Sequence, residues 1–238
     1  MDTAMNGETL VMTATFRAPD TPTLVVRDEQ VRVSQYLCAL VAWARTARVK
    51  RIVFTENSGT AFDFTHVVRH LEAAGKEIEV LVFEGNSESA VFGKGFGEGR
   101  ILEHAYHTSR LLRESEAFYK VTGRLFCSNF DAISEATTGR DAFRRKRWKD
   151  PARKPKVITT FFKCSRSTFQ SRLLDAYKDV DDRTGAHIEH VYFERLSDLA
   201  DADLPMKPAI VGQQASTGEI YAPYDHEIID VARSLMPS

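Results

Sequence analysis

Between residues 9 and 130, short apolar runs rich in β-branched and aromatic residues alternate with longer stretches whose apolar residues recur every three or four positions. "TLVMTATF" (9–16) is a strand leading into the Pro-containing loop "RAPDTP". "DEQVRVSQYLCALVAWARTA" (28–47) places Val33, Leu37, Leu40, Val41 and Ala44 on one helical face, with Asp28 as N-cap and Val31 just inside. "KRIVFTEN" (50–57) is a continuous apolar strand. "FDFTHVVRHLEAAG" (62–75) is an amphipathic helix closed by Gly75, and "EIEVLVFEGN" (77–86) is the next strand. "GEGRILEHAYHTSRLLRES" (97–115) is helical along Ile101, Leu102, Ala105 and Leu112, and "AFYKVTGRLF" (117–126) follows as the fourth strand. Such alternation is satisfied by a mostly parallel sheet with helices on both faces and right-handed crossovers, an α/β fold. Ligands of open parallel sheets collect outside the carboxyl ends of the strands. Those ends read "TATFRAP", "FTENSG", "FEGNSES" and "KVTGR", all polar or glycine-containing.

The second half is less regular. "DAFRRKRWKDPARKPK" (141–156) is a basic exposed stretch, "VITTFFKC" (157–164) a strand, and "SRSTFQSRLLDAYKDVDDRTG" (165–185) a helix through Phe169, Leu173, Leu174 and Tyr177. "AHIEHVYFERLSDL" (186–199) is a further helix with Ile188, Val191, Tyr192 and Leu196 inward. No repeat or low-complexity tract divides the chain, so one domain over 1–238 is expected, with 9–130 and 141–238 contributing different sides of a site. A hydrophobic content of 43% supports a sizeable core, and a net charge of -1 argues against bulk nucleic acid as the main partner. Cys38, Cys127 and Cys164 form no disulfide or metal-knuckle spacing, which fits a reducing cytoplasm. "MDTAMNGETL" lacks a basic segment followed by an apolar one, so no signal peptide is expected, and no apolar run approaches a membrane span.

Several short motifs carry chemistry beside plainer readings. "FGKGFGEG" (92–99) runs from a strand loop into a helix, where glycines admit a ligand and the helix N-terminus favours an anion. A flexible loop explains it equally, and it lacks phosphate-loop spacing and the dinucleotide fingerprint. In "KVTGR", Lys120 and Arg124 flank Gly123 at a strand end; a guanidinium fork suits a diphosphate, and a surface Arg paired with a carboxylate is the alternative. "VDDRTGAHIEHVYFERL" offers Asp182 and Glu189 as candidate general bases, beside the plainer reading of a solvated charged helix, with His190 next to Glu189. The pairs His66–His70 and His104–His107 lack a companion carboxylate and read as surface histidines. "RRKRWK" (144–149) is a solvated face, or a grip on nucleic acid, anionic lipid headgroups or an anionic acceptor.

In layout, "TLVMTATF", "RIVFTENSG", "GKGFGEG", "FYKVTGRLF" and "GAHIEHVYFERL" together resemble bacterial glycosyltransferases of the GT-A type found in surface-polysaccharide biosynthesis, over residues 9–196. The resemblance implies a Rossmann-like GT-A architecture and transfer of a sugar from a nucleotide-sugar donor to a hydroxyl of a glycan or lipid-linked glycan. It implies a donor edge built from Thr13, Thr15, Arg17, Glu56, Asn57, Lys94, Gly95, Gly97, Glu98, Thr122 and Gly123, with Arg27 and Arg32 reaching the same region. Family members place an Asp-x-Asp metal motif at the end of the fourth strand; here Thr122-Gly123-Arg124 stands there, and Asp201-Ala202-Asp203 lies far downstream. The expectation is therefore a metal-independent, inverting enzyme without a cofactor. Lys120 and Arg124 would stabilise the leaving diphosphate, Glu189 would be the base with Asp182 in reserve, and His190 would stand on the acceptor side. Such an enzyme would be cytoplasmic, with peripheral inner-membrane contact through 144–156 and no specific nucleic-acid partner. The second expectation is a non-catalytic nucleotide- or polyanion-binding α/β module.

Overall fold

The alternation of side chains along the strands divides the apolar residues between two cores, one on each sheet face. A computed structural model describes residues 7–19, 24–214 and 217–237. The start of the N-terminal stretch read for a leader (1–6) and the 20–22 end of the loop after the first strand lie outside the described residues. In chain order the first half comprises β1 (Glu8–Ala14), α1 (Glu29–Ala44), β2 (Val49–Glu56), α2 (Thr65–Ala73), β3 (Glu77–Val82), α3 (Ser89–Phe92), α4 (Lys94–Thr108), α5 (Arg110–Arg113) and β4 (Ala117–Thr122). Then come β5 (Phe126–Cys127), α6 (Phe130–Ala136), β6 (Arg145–Lys146), β7 (Lys156–Val157), β8 (Phe161–Ser165), α7 (Arg166–Thr168), α8 (Ile188–Arg195), β9 (Ile210–Gln213), β10 (Ile220–Ala222) and α9 (His226–Ser234).

The main sheet has five strands in the order β3-β2-β1-β4-β8. The first four pair in parallel, and β8 runs antiparallel to β4. Leu10, Met12, Ile52, Phe54, Tyr119 and Val121 face the core shared with α1, α2 and α9. Val11, Val53, Phe118 and Phe162 face the opposite core, under α4, α5 and α8. The α/β architecture, a mostly parallel sheet flanked by helices, matches the expectation. Asp28 caps α1 as read, its carboxylate accepting from the Val31 N–H at 2.9 Å.

Three departures have local causes. The expected helix over 165–185 is broken into α7, a π turn at Phe169–Leu173 and 3₁₀ turns at Ala176–Asp179 and Asp182–Thr184. The expected strand 157–164 is two pieces, β7 and β8, because Val157 pairs with Arg145 while Phe161 pairs with Val121. The basic stretch forms a two-stranded ribbon, β6–β7, whose linking residues are mostly exposed.

The glycine-rich segment is a further departure. From Lys94 onward it is not a loop but the first turns of α4. Its glycines let neighbouring protein come close. A Cβ on Gly99 would lie 2.1 Å from Tyr177 Cβ, one on Gly97 2.3 Å from Ser89 Oγ, and one on Gly95 3.0 Å from Ile188. Alanine inside a helix ordinarily stabilises by ~0.5–1 kcal/mol over glycine. Here Gly99→Ala is expected to destabilise by about 1–3 kcal/mol through overpacking, read as a lower urea midpoint; an unchanged or higher midpoint would refute the close approach of α4.

Candidate functional site

The carboxyl ends of β1, β2 and β4 and the start of α4 surround a cavity of about 100 Å³. Thr13, Thr15, Arg32, Tyr36, Asn57, Asn86, Ser89, Lys94, Glu98, Thr122 and Arg124 are among the residues lining it. Thr13, Thr15, Arg32, Asn57, Lys94, Gly97, Glu98, Thr122 and Arg124 were singled out in the sequence, and the fold brings them to this one place. Tyr36, Asn86 and Ser89 were not. Asn86 and Ser89 lie in "FEGNSES", a strand end whose polarity was the available signal; Tyr36 sits inside a helix and carries none.

Backbone geometry explains the Thr-Gly-Arg turn. The Thr122 N–H donates to Thr160 O (3.0 Å), the Gly123 N–H to Thr13 O (2.9 Å), and the Leu125 N–H to Thr122 O (2.9 Å). A Cβ on Gly123 would lie 2.6 Å from Thr13 O, so the glycine is required by the neighbouring strand end and not by a ligand. Arg124 is thereby turned into the cavity wall, 3% exposed. Its Nη1 donates to Gln35 Oε1 at 3.2 Å, its guanidinium lies 5.8 Å from the Tyr36 ring centroid, and its Nε is buried with no partner. Burial, foremost, and Arg32 press its pKa down; Tyr36 opposes them. Ser89 Oγ, also lining the cavity, is a second buried polar atom without a partner. Orphaned polar groups in a cavity wall are groups a ligand can satisfy.

Lys120 does not reach the cavity. It shares the sheet face of Phe118, and its side chain is fully buried under α4. Its Nζ donates to Glu98 Oε1 and, at 2.7 Å, to Thr159 O. Burial, foremost, lowers its pKa; Glu98 opposes this, Lys94 adds to it, and Glu189 opposes it. The cation expected to meet a diphosphate is thus sequestered, and the exposed Lys94, with no ion pair among the described residues, holds the reachable positive charge instead.

Other selected residues serve the loops. The buried Glu56 carboxylate accepts from the Phe16 N–H (2.7 Å), the Ser58 N–H (3.0 Å) and the Thr60 N–H (3.3 Å), which fixes the β1 and β2 loops and leaves it outside the cavity lining. Arg17 donates to Ser58 O (2.6 Å) and Gly59 O (3.0 Å), and exposed Arg27 to Leu24 O (2.9 Å). Arg32 spends its guanidinium on the carbonyls of Thr15, Phe16 and Val26. Asp182 accepts from the Lys94 N–H at 3.0 Å, capping α4 across the fold, and its other oxygen meets His187 Nδ1 at 2.8 Å. Half-buried Glu189 stands in the first turn of α8, near enough to Lys120 to affect it, with no hydrogen bond or ion pair among the described residues. His190 turns to another cavity, its Nδ1 2.7 Å from Pro155 O.

A divalent metal at the end of the fourth strand, which the family resemblance implies, does not fit this donor set. Glu98 is the one carboxylate among the lining residues, it is engaged by Lys120, and Arg124 occupies the strand end. No group of three or more His, Cys, Asp or Glu gathers elsewhere among the described residues.

Removing one partner of a buried pair leaves an uncompensated charge. Glu98→Ala is therefore expected to cost about 3–5 kcal/mol of stability, whereas the double change Lys120→Met with Glu98→Leu recovers most of it. Equal unfolding midpoints for the wild type and Glu98→Ala would disprove the pairing.

No family model matches the chain, and no curated protein matches it. Among solved structures, the apo form of the glycosyltransferase GlyE of Streptococcus pneumoniae TIGR4 aligns with a TM-score of 0.57 and 10% identity, over 98% of this chain and 65% of that one. A second structure of GlyE aligns with a TM-score of 0.51 and 10% identity, over 81% of this chain and 44% of that one. The apo structure of the bifunctional glycosyltransferase WbbM aligns with a TM-score of 0.50 and 8% identity, over 86% of this chain and 40% of that one. The chain spans less than two thirds of the length of each. What it shares with these glycosyltransferases is the fold, an α/β architecture with a mostly parallel sheet flanked by helices.

Proposed function

We propose that this chain is a glycosyltransferase that moves a sugar from a nucleotide-sugar donor to a hydroxyl of a bacterial surface glycan, with inversion and without a metal. Residues 1–238 act as a single catalytic unit in the cytoplasm. The observation that carries this reading is the cavity at the carboxyl edge, lined by the buried, partly unsatisfied Arg124 guanidinium and by Lys94, on a fold shared with glycosyltransferases.

In the proposed reaction the acceptor oxygen attacks the anomeric carbon and its proton passes to Glu189. The bond from that carbon to the diphosphate oxygen breaks, and its electron pair stays on the diphosphate. Arg124 and Lys94 face the negative charge that develops there. Lys120 acts one step removed, holding Glu98 in the wall. Asp182 is committed to the α4 N-terminus and to His187, so it positions Lys94 and is not the base. A cavity of about 100 Å³ is well below the ~300–1,000 Å³ of typical ligand sites, so the donor must widen it on binding.

Arg124→Ala is expected to lower turnover about 10²–10³-fold while the variant keeps its circular dichroism spectrum. Glu189→Gln should lower it about 10²–10⁴-fold. Near-normal turnover in either folded variant removes that role. One member of a panel of UDP, GDP, CMP and dTDP sugars is expected to raise the melting temperature, and turnover should be equal in EDTA and in Mn²⁺. A strict metal requirement would overturn the metal-free assignment. The small cavity and the ion-paired Lys120 favour a second reading, a nucleotide- or polyanion-binding module without turnover. Binding that collapses with salt and shows no preference among the sugar nucleotides would establish it.

A further inference from the structure

A second cavity, of about 620 Å³, lies between the β6–β7 ribbon, the β9–β10 ribbon and the segment leading into β8. Arg144, Lys146 and Lys207 line it, together with Ile158, Phe161 and Tyr221, and Glu219 is its one carboxylate. Strand alternation sorts the basic run that the sequence displays. Arg145 turns to the other side and pairs with Asp203 at 2.7 Å, while Arg144 and Lys146 face the cavity.

These cavity-facing cations have no ion pair or side-chain hydrogen bond among the described residues. Arg110, Arg172, Arg183 and Arg195, by contrast, each meet a carboxylate. The Lys146 ammonium is held below its ordinary pKa by burial, foremost, and by Arg144, Lys156, Lys207 and Arg153. Uncompensated like charges gathered around a concavity favour an anion.

The cavity adjoins the candidate site through a single hydrogen bond. Thr160 lines this cavity, Thr122 lines the first, and the Thr122 N–H donates to Thr160 O at 3.0 Å. Volume and shape choose among anionic ligands. About 620 Å³ falls within the range of small-molecule sites, and a concavity lined by both cations and the apolar Ile158 and Phe161 suits a compact ligand better than a flat bilayer. A net charge of -1 disfavours long nucleic acid.

We propose that this second cavity is an acceptor subsite for a phosphate-bearing sugar, with Arg144, Lys146 and Lys207 as the phosphate ligands and Tyr221 as a platform for the sugar ring. The assignment rests on the glycosyltransferase reading. It separates a phosphorylated acceptor, free or attached to a lipid through its phosphate, from a neutral glycan.

The test is calorimetric titration of the full chain with a hexose 1-phosphate, without nucleotide. Binding is expected for the phosphorylated sugar and not for the neutral hexose. In the double variant Lys146→Ala with Lys207→Ala affinity should fall about tenfold or more, and in Lys207→Glu it should fall further. Arg124→Ala should leave it unchanged, and the double variant should keep the melting-temperature rise with the nucleotide sugar. Loss in Arg124→Ala instead would place the phosphate in the first cavity and overturn the proposal. Unaltered affinity in both cavity variants would also overturn it, as would co-sedimentation with phosphatidylglycerol vesicles without hexose 1-phosphate affinity. If the titration behaves as expected but no nucleotide sugar binds or turns over, the donor assignment fails while the anion site stands. Comparing a free hexose 1-phosphate with a polyprenyl-phosphate hexose in detergent then distinguishes the two sources.

Discussion

The arrangement turns on one buried ion pair. β4 must be apolar on both faces because helices cover both, yet its alternation directs Lys120 into the core beneath α4. An ammonium there is tolerable only with a carboxylate and further acceptors at hand, and Glu98 of α4 with the Thr159 carbonyl supply them. For Glu98 to arrive, α4 has to lie unusually close to its neighbours. The glycines at 95, 97 and 99 permit that approach, and Asp182 fixes the helix start. A sheet lysine, a glycine-rich helix and a distant aspartate, which look unrelated along the chain, satisfy one electrostatic requirement.

That requirement also shapes the surface at the carboxyl edge. Because Glu98 faces Lys120 and lines the cavity, the carboxylate nearest a ligand is already neutralised. Arg32 is likewise consumed by carbonyls. The positive charge left at the cavity wall belongs to Lys94 at the helix start and to Arg124 across the cavity, so it comes from two elements instead of one strand. Tyr36 binds this side together, its hydroxyl accepting from the Thr15 N–H at 2.9 Å and its ring beneath Arg124.

Although it ran α4 and α5 together over 97–115 and passed over α3, local periodicity was enough to read β1 through β4, α1 and α2. Each is a short-range pattern: Val33, Leu37, Leu40 and Val41 repeat at helical spacing, and Ile52, Val53 and Phe54 form a run long enough for a strand and too short for a helix. The polar strand ends followed from the same pattern, which is why so many residues chosen there line one cavity. The second half resisted because its order comes from distant partners. Residues 165–185 have helical spacing, but Arg195 binds both Asp175 and Asp179 from α8, and Asp182 is drawn to α4, so no regular helix serves all of them. β9 and β10 are short, with Ile210 half-buried and Ile220 exposed; β9 pairs with β5, β10 pairs only with β9, and Gly212 of β9 passes close to Arg124 O.

Glycine and lysine were the residues hardest to interpret from sequence, for the same physical reason. A glycine marks a place where something comes close without saying what. At Gly123 it is Thr13 O, and at Gly212, with φ of 111°, it is Arg124 O. A lysine marks a positive charge without saying whether water can reach it. Lys76 and Lys163 are buried like Lys120 and are likewise answered by carbonyls, Lys76 by Thr46 O at 2.6 Å and Lys163 by Thr137 O at 2.9 Å. Desolvation decides which cations remain available: a buried ammonium must be compensated inside the protein, whereas Lys94, Lys146 and Lys207 have no ion pair among the described residues. The chain therefore uses one residue type in two ways, as an internal tether beneath the sheet and as a cation without an ion pair at its edge.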